Sequence, residues 1–159
     1  MRAKVGSNIE IPGMSNDHVN GYRERHIINV LVIVNDVDFL DLSKTYLEKT
    51  NDDLSVYTVT APEQVLPLIE TAFYDIIVAD YELPRMNGLQ LLEKLRKSGN
   101  CLPFIMLLDR EQEEIAVKGM ALGADYCILK APDINDTFAD LNHFISQSTN
   151  LKRFKGTVN

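Results

Sequence analysis

The segment YDIIVADYELPRMNG, residues 74–88, joins an apolar strand to a carboxylate and then to a loop. The β-branched run at 76–78 is typical of a strand that is buried on both faces. Asp80 follows it closely, and Pro84 and Gly88 belong to a loop. Because a charge is costly to bury unless it is paired, we expect the strand to end at Asp80. There the chain leaves the core and a carboxylate can meet a ligand.

The composition is that of an ordinary globular domain with an acidic surface. The chain has 159 residues, of which 45% are hydrophobic and 25% are charged, and its formal net charge is −7. An excess of negative charge repels phosphates, which argues against nucleic acid and anionic membranes as partners. The sequence has neither a signal peptide nor an apolar run that could cross a membrane, so we expect a cytoplasmic protein.

The cysteines and histidines give no metal signal. Cys101 and Cys127 lie in apolar segments, which predicts two buried thiols rather than a disulfide. Neither these cysteines nor His18, His26 and His143 have the spacing of a zinc site.

Apolar periodicity after residue 25 predicts five strands that alternate with five helices. Pro67 falls past the first turn of the second helix pattern, where it should cause a kink. The alternation predicts an α/β fold with a doubly wound, five-stranded parallel sheet. The strand patterns occupy 27–34, 54–60, 75–79, 102–108 and 125–130, and the helix patterns occupy 37–50, 61–73, 87–99, 110–123 and 133–148.

Three regions follow from this pattern. Residues 1–25 are polar and contain glycine and proline without a sustained period, so we expect a flexible N-terminal extension. Residues 26–149 form the folded domain, and residues 150–159 form a short tail, which we expect to be a frayed helix end. Since nothing follows residue 159, we expect no output domain on the same chain.

The expected carboxyl ends of the strands carry several charges, and ligands of such sheets bind at this edge. Two carboxylates such as Asp36 and Asp80 repel each other unless a cation lies between them, and Mg²⁺ takes one or two carboxylates with waters and phosphate oxygens. A carboxylate can also accept a phosphoryl group, whose charge a lysine neutralises. The residues at these ends are Asn35, Asp36, Asp38, Asp80, Leu108, Asp109 and Lys130.

Three segments resemble the motifs of response-regulator receiver domains. The first, DYELPRMNG (80–88), resembles the phosphorylation loop D-x-x-M/L-P-x-M-x-G, VIVND (32–36) resembles the acidic pair after the first strand, and GADYCILK (123–130) resembles the fifth-strand segment that ends in lysine. The resemblance covers about residues 27–148 and implies a flavodoxin-like sheet of order 2-1-3-4-5 with five helices. The wording of residues 60–88 looks most like receivers attached to archaeal sensor kinases.

The resemblance also implies roles for individual residues. Asp80 would accept a phosphoryl group from a histidine kinase or a phosphotransfer domain, and Lys130 would pair with the phosphoryl charge. Mg²⁺ would be held by the side chains of Asp36 and Asp80 and by the backbone carbonyl of Glu82, with Asn35 acting weakly through a water. Such a domain would catalyse only its own phosphorylation and dephosphorylation.

The sequence departs from the family pattern at the metal site and after the fourth strand. Asn35 stands where the first acid is usual, so one negative charge is missing. Leu108 replaces a serine or threonine and cannot donate a hydrogen bond to a phosphoryl oxygen. Asp109 replaces a small residue and would repel an arriving phosphate, although it could instead cap the following helix together with Glu113.

The fifth strand departs as well. Cys127 occupies the aromatic switch position, and the adjacent Tyr126 should point to the other face of the strand. The proline that usually follows the lysine directly comes one residue later, in KAP (130–132). The acceptor, one metal acid and the lysine are therefore kept, while the hydroxyl–aromatic relay is altered.

Two other classes of function remain open. A pseudo-receiver, which the residues Asn35, Leu108, Asp109 and Cys127 suggest, would bind partners without phosphorylation. In a purely structural interpretation, Asp80 would only cap its loop and Lys130 would be a surface lysine whose stem covers the sheet edge. A flavodoxin-like cofactor binder or an aspartate-dependent phosphohydrolase, with Glu82 as its acid/base, fits the residues less well. In the receiver hypothesis a partner, or a second copy of the chain, contacts the face formed by residues 110–148.

Overall fold

The structure is a computed structural model that describes the backbone of residues 26–158 and the side chains of residues 26–150. The expected N-terminal extension, residues 1–25, lies outside the described residues. Within that part of the chain, none of the helices is long and apolar enough to cross a membrane.

Five strands and five α-helices alternate along the described part of the chain. Short 3₁₀ turns, Pro62–Gln64 and Arg110–Gln112, precede the second and fourth helices. The strands are β1 (Ile28–Ile33), β2 (Leu54–Val59), β3 (Ile76–Asp80), β4 (Phe104–Leu108) and β5 (Tyr126–Leu129). The helices are α1 (Val37–Thr50), α2 (Val65–Thr71), α3 (Gly88–Lys97), α4 (Ile115–Ala121) and α5 (Ile134–Val158).

The strands form one parallel sheet in the order β2-β1-β3-β4-β5, which confirms the predicted topology. The central strand β3 pairs with β1 on one side and with β4 on the other, and Asp80 lies opposite Leu107 of β4. All strands run in the same direction, so their carboxyl ends meet at one edge, as the sequence predicts.

Helices cover both faces of the sheet. On one face α1 and α5 pack against the strands through residues such as Phe39, Leu47 and Phe138. On the other face α2, α3 and α4 contribute residues such as Val65 and Leu92. Strands β3 and β4 are completely buried between these layers, which explains their unbroken apolar sequences.

The prediction of a kink at Pro67 is wrong. The predicted helix at 61–73 is instead a 3₁₀ turn followed by the short helix α2. Pro67 is the third residue of α2. In the first turn of a helix a backbone N–H has no intrahelical partner, so a proline costs little there. The pattern at 110–123 splits in the same way. Helix α5 runs to Val158, beyond the end expected at residue 148.

The prediction of two buried thiols is half wrong. Both cysteines are free, but Cys101 is exposed and Cys127 is half-buried. Cys101 lies between α3 and β4, where the chain turns at the surface before the strand begins. The buried part of this apolar segment begins at Pro103, and Cys101 precedes it.

Candidate functional site

The site is centred on an ion pair between the ends of two strands. Asp80 is the last residue of β3 and is only 5% exposed. Lys130 follows the last residue of β5, and its Nζ donates to Asp80 Oδ2 at 2.8 Å. The backbone N–H of Lys130 donates to the carbonyl of Leu108 at 2.7 Å, which places the lysine beside the end of β4. The Phe39 ring lies below the ammonium, 5.8 Å from its centroid.

Burial and charge act in opposite directions on this pair. Burial raises the pKa of the Asp80 carboxyl, and it outweighs the lowering caused by Lys130 and by the Glu82 N–H, which donates to Oδ1 at 3.3 Å. Burial tends to lower the pKa of Lys130, but Asp80 and Asp109 raise it above its ordinary value. The lysine is therefore charged at neutral pH. Because burial disfavours the ionised form of Asp80, a further cation beside it would stabilise the carboxylate.

The acceptor loop, residues 81–87, connects β3 to α3 and passes very close to Asp80. The N–H of Gly88 donates to the carbonyl of Tyr81 at 2.9 Å. A Cβ on Gly88 would lie 2.8 Å from the backbone oxygen of Asp80 and 3.0 Å from Cα of Tyr81. Backbone atoms cannot yield as a flexible side chain can, so this approach requires glycine. Asn87 then caps α3 by accepting from the N–H of Gln90 at 2.9 Å.

Arg85 gives the acceptor loop its turn. Its backbone lies in the left-handed region, with φ of 69°. Residues other than glycine adopt this conformation only at an energetic cost. Its guanidinium forms a two-bonded contact with the carboxylate of Glu63, in which Nη2 donates to Oε1 at 2.9 Å. The contact holds the pKa of Glu63 at about 2. This pair links the acceptor loop to the turn before α2.

The acids after β1 lie at the same edge but are not joined into one cluster. Asn35 and Asp36 are exposed. Asp36 is the N-cap of α1, and its Oδ1 accepts from the N–H of Phe39 at 3.2 Å. Asp38 lies in the first turn of α1 and is exposed. The structure therefore places Asp36 at the predicted edge while using one of its two oxygens for a helix cap.

The end of β4 carries the departures seen in the sequence. Leu108 is completely buried and belongs to the apolar layer beneath the edge. Asp109 begins the β4–α4 turn, residues 109–114, and its Oδ1 lies 3.5 Å from Nζ of Lys130. Lys130 therefore lies between two carboxylates, Asp80 and Asp109.

Sequence reasoning missed one residue of this edge, Gln112. The structure does not pair Asp109 with Glu113 as expected. Instead Gln112 Oε1 accepts from the N–H of Asp109 at 2.9 Å, and its Nε2 donates to Oε2 of Glu82 in the acceptor loop. The signal was available in part, because a glutamine three residues after a capping aspartate has capping-box spacing. The contact with Glu82 has no such local signature.

The fifth strand confirms the predicted alternation of its side chains. Tyr126 packs on the α1–α5 side of the sheet against Phe144, with ring centroids 4.4 Å apart. Cys127 points to the other side, where its Sγ lies near the Ala116 carbonyl and near Gly119 in α4. Burial raises the pKa of this thiol.

The donor set at this edge has the chemistry that magnesium takes in proteins. Among the described residues no group of three or more His, Cys, Asp or Glu side chains converges as a metal site. Mg²⁺ commonly takes only one or two carboxylates and keeps several waters, so two acids with a backbone carbonyl suffice. Asp80, the last residue of β3, and Asp36, the N-cap that follows the adjacent strand β1, can supply those carboxylates.

Comparison with known proteins places the chain in a family. The model of the response regulator receiver domain matches residues 30–142, more than half of the chain. The chain therefore belongs to the receiver domain family of two-component response regulators. Receiver domains are signalling modules that interact with histidine kinases or phosphotransfer proteins. Their general role is to accept a phosphoryl group on an aspartate, and they generally bind Mg²⁺ at that site.

Individual relatives agree with this family. The response regulator SaeR of Staphylococcus aureus is 25% identical over 126 residues, which are 79% of this chain and 53% of that protein. This chain thus spans about half the length of the curated relatives it matches.

Solved structures agree as well. A receiver domain protein from Clostridium thermocellum has a TM-score of 0.71 at 23% identity, covering 80% of this chain and 98% of that one. The receiver domain of Francisella response regulator 1452 has a TM-score of 0.65 at 28% identity, with 76% and 98% covered. A CheY-like receiver domain protein from Methanospirillum hungatei has a TM-score of 0.65 at 26% identity, with 78% and 98% covered.

Proposed function

We propose that Asp80 of this chain accepts a phosphoryl group from the phosphohistidine of a histidine kinase or a phosphotransfer domain. The observation that carries the proposal is the contact between Asp80 and Lys130. A buried carboxylate at the carboxyl end of the central strand bonds to an ammonium at 2.8 Å. Asp80 also begins the segment that resembles the phosphorylation loop of the family.

The chemistry balances without a further reactant. An oxygen of Asp80 bonds to phosphorus while the P–N bond of the phosphohistidine breaks, and the imidazole nitrogen keeps the electron pair of that bond. A phosphoryl group carries about two negative charges at neutral pH. Lys130, which already bonds to Oδ2 of Asp80, balances part of this charge as a point cation. Positioning and electrostatics therefore account for the reaction. We propose no activity beyond phosphoryl acceptance and hydrolysis of the aspartyl phosphate, in which water attacks phosphorus, the bond to the Asp80 oxygen breaks and inorganic phosphate leaves.

Magnesium belongs to this proposal as the cofactor. The carboxylates of Asp36 and Asp80 and the backbone carbonyl of Glu82 would hold the ion, and Asn35 would orient a bound water. When bound, Mg²⁺ neutralises charge on the phosphoryl oxygens. Since Asn35 replaces an acid and Asp36 also caps α1, we expect weaker Mg²⁺ binding than at a site with two acids after β1.

The output of this receiver is proposed to be contact with another protein. Helix α4 exposes 74% of Val117 and 50% of Met120, one turn apart. Helix α4 borders the face formed by α4, β5 and α5, which we propose as the contact surface. An apolar pair on an otherwise acidic surface suits a protein partner or a second copy of the chain. The net charge of −7 disfavours nucleic acid and membranes. We place the protein in the cytoplasm, which is typical of the family.

The experiment is intact-mass spectrometry after incubation with Mg²⁺ and acetyl phosphate. We expect the wild type to gain roughly 80 Da, the mass of one phosphoryl group, and we expect Asp80→Asn to gain nothing. Asp38→Asn is the matched control, because it removes an exposed acid from the same edge without touching the Asp80–Lys130 pair. A gain that persists in Asp80→Asn would contradict the assignment of the acceptor.

One observation favours a second candidate, a pseudo-receiver that binds partners without phosphorylation. The carboxylate of Asp109 already lies 3.5 Å from Lys130, where it can take the place of an incoming phosphoryl charge. In that case a correctly folded wild type gains no mass and shows no spectroscopic response to millimolar Mg²⁺. The mass of the wild-type protein and its response to Mg²⁺ therefore distinguish the phosphoryl-accepting receiver from the pseudo-receiver.

A further inference from the structure

The carboxamide of Gln112 contacts two different segments of the edge. Its Oε1 accepts from the N–H of Asp109 at 2.9 Å, inside the β4–α4 turn. Its Nε2 donates to the carboxylate of Glu82, in the acceptor loop. We call the second contact the bridge. It joins segments that are separated by 30 positions in the chain.

The bridge closes a ring of contacts around the acceptor. Asp80 bonds to Lys130 at 2.8 Å, and Lys130 lies 3.5 Å from Asp109. The N–H of Asp109 bonds to Gln112, Gln112 bonds to Glu82, and the N–H of Glu82 returns to Oδ1 of Asp80 at 3.3 Å. The ring links the ends of β3, β4 and β5. In a connected polar network a change at one member alters the bonds of the others.

The β4–α4 turn passes this connection on to a helix. The N–H of Glu113 donates to the carbonyl of Arg110 at 3.3 Å, and the N–H of Ala116 donates to the carbonyl of Glu113 at 3.0 Å. The turn is therefore continuous with α4, which carries the exposed Val117 and Met120. Leu108, at the start of this path, is buried and has no side-chain donor or acceptor.

We propose that Gln112 is a positioning residue that couples the acceptor loop to α4 through its bridge to Glu82. The side chain of Gln112 does in this chain what the buried Leu108 cannot do, which is to connect the acceptor edge to the turn before α4. The proposal rests on the proposed function only in naming Asp80 as the origin of the signal. The bridge itself exists in the unphosphorylated protein and is testable there.

The experiment is hydrogen–deuterium exchange of the full chain, read in peptides that cover residues 81–88 and 109–121. Gln112→Glu keeps an acceptor for the Asp109 N–H but sets a carboxylate against Glu82. Glu82→Gln alone keeps an acceptor for the Gln112 amide. In the double variant Glu82→Gln/Gln112→Glu, the new amide at position 82 can donate to the new carboxylate at position 112. Comparison of Gln112→Glu with the double variant therefore tests the bridge separately from the bond between Gln112 and the Asp109 N–H.

We expect exchange in both peptides to become about fivefold faster in Gln112→Glu, since a hydrogen bond to a charged group is lost. We expect Glu82→Gln and the double variant to stay within about twofold of the wild type. Gln90→Glu is the matched control, because Gln90 caps α3 by the same kind of contact with the Asn87 N–H, and it should leave residues 109–121 unchanged.

Two results would overturn the proposal. One is a Gln112→Glu variant that exchanges like the wild type in residues 81–88, which would show that the two segments are not coupled. The other is a double variant that exchanges as fast as Gln112→Glu. Phosphoryl mass is measured on the same samples, so a wild type that gains no mass counts against the proposed function, while the exchange of the unphosphorylated variants still decides the bridge.

Discussion

The acceptor loop follows Asp80 and the β4–α4 turn begins with Asp109, two carboxylates that both contact Lys130, and the two segments differ in how closely they follow the receiver family. The acceptor loop keeps the family pattern, and its close backbone approach at Gly88 shows why it is kept. Leu108, the last residue of β4, and Asp109, the first residue of the β4–α4 turn, stand where the family usually has a hydroxyl-bearing residue and a small residue. In the proposed function, accepting a phosphoryl group and transmitting its presence would depend on different segments, of which only the acceptor loop follows the family pattern.

The largest change in stability is expected at Leu108. It would show that this position, which departs from the family, serves packing of the core. Leu108 is fully buried, so Leu108→Ala should lower the free energy of unfolding by about 3 kcal/mol through lost burial and a cavity. Urea denaturation measures this. Leu42→Ala removes the same atoms from a side chain that is 52% exposed, and it should cost less than about 0.5 kcal/mol. Equal losses in the two variants would contradict the packing role.

The second prediction compares a glycine beside each segment. Gly88→Ala should cost about 2 kcal/mol in urea denaturation, because its Cβ would meet the backbone of Asp80 and Tyr81. Gly119→Ala, in α4, would meet Sγ of Cys127 at 3.0 Å and Cε of Met106 at 3.6 Å. These side chains can move, and alanine favours a helix, so the change should stay within about 1 kcal/mol. A Gly88→Ala variant as stable as the wild type would contradict the claim that the acceptor loop requires glycine at this position.

The third prediction concerns the charge of Asp109. Asp109→Asn removes a carboxylate that competes for Lys130 and repels an incoming phosphate. The initial rate of mass gain with acetyl phosphate and Mg²⁺ should rise roughly threefold, as expected for one partly screened charge. Asp140→Asn, which removes an exposed acid of α5, is the matched control. A slower rate in Asp109→Asn would mean that Asp109 assists acceptance.

The smallest effect is expected in the dependence of stability on pH. Burial raises the pKa of Asp80, so the folded state holds this proton more tightly than the unfolded chain does. Ionised Asp80 therefore costs stability above its raised folded pKa, and the cost fades as the pH falls toward the ordinary value of about 3.9. We expect Asp80→Asn to gain stability over the wild type at pH 7 and to lose that advantage toward pH 4. Urea midpoints across this range measure the difference, and an advantage that grows toward pH 4 would contradict it.

Much of the fold could be predicted because its signals are local. Buried parallel strands are apolar runs, and the helices between them have apolar residues at helical spacing, so these patterns predicted the parallel sheet. The order of its strands came from the resemblance to receiver domains. Helix boundaries were predicted less accurately where a 3₁₀ turn precedes a helix. At Pro67, for example, a proline fits the first turn of a short helix as well as the kink of a longer one. The burial of Cys101 was predicted wrongly because this residue precedes the buried part of its apolar segment, which begins at Pro103.

The residues of the site were predictable where the topology brings strand ends together. Asp80 and Lys130 are 50 positions apart, yet each stands at the end of a strand, so the sequence alone placed both at one edge. It also identified Leu108 and Asp109 as departures from the family. Only the tertiary structure decided the partners: Asp36 caps α1, Asp109 approaches Lys130, and Gln112 bridges to Glu82. A long polar side chain can reach several partners, and the packing of distant segments selects among them.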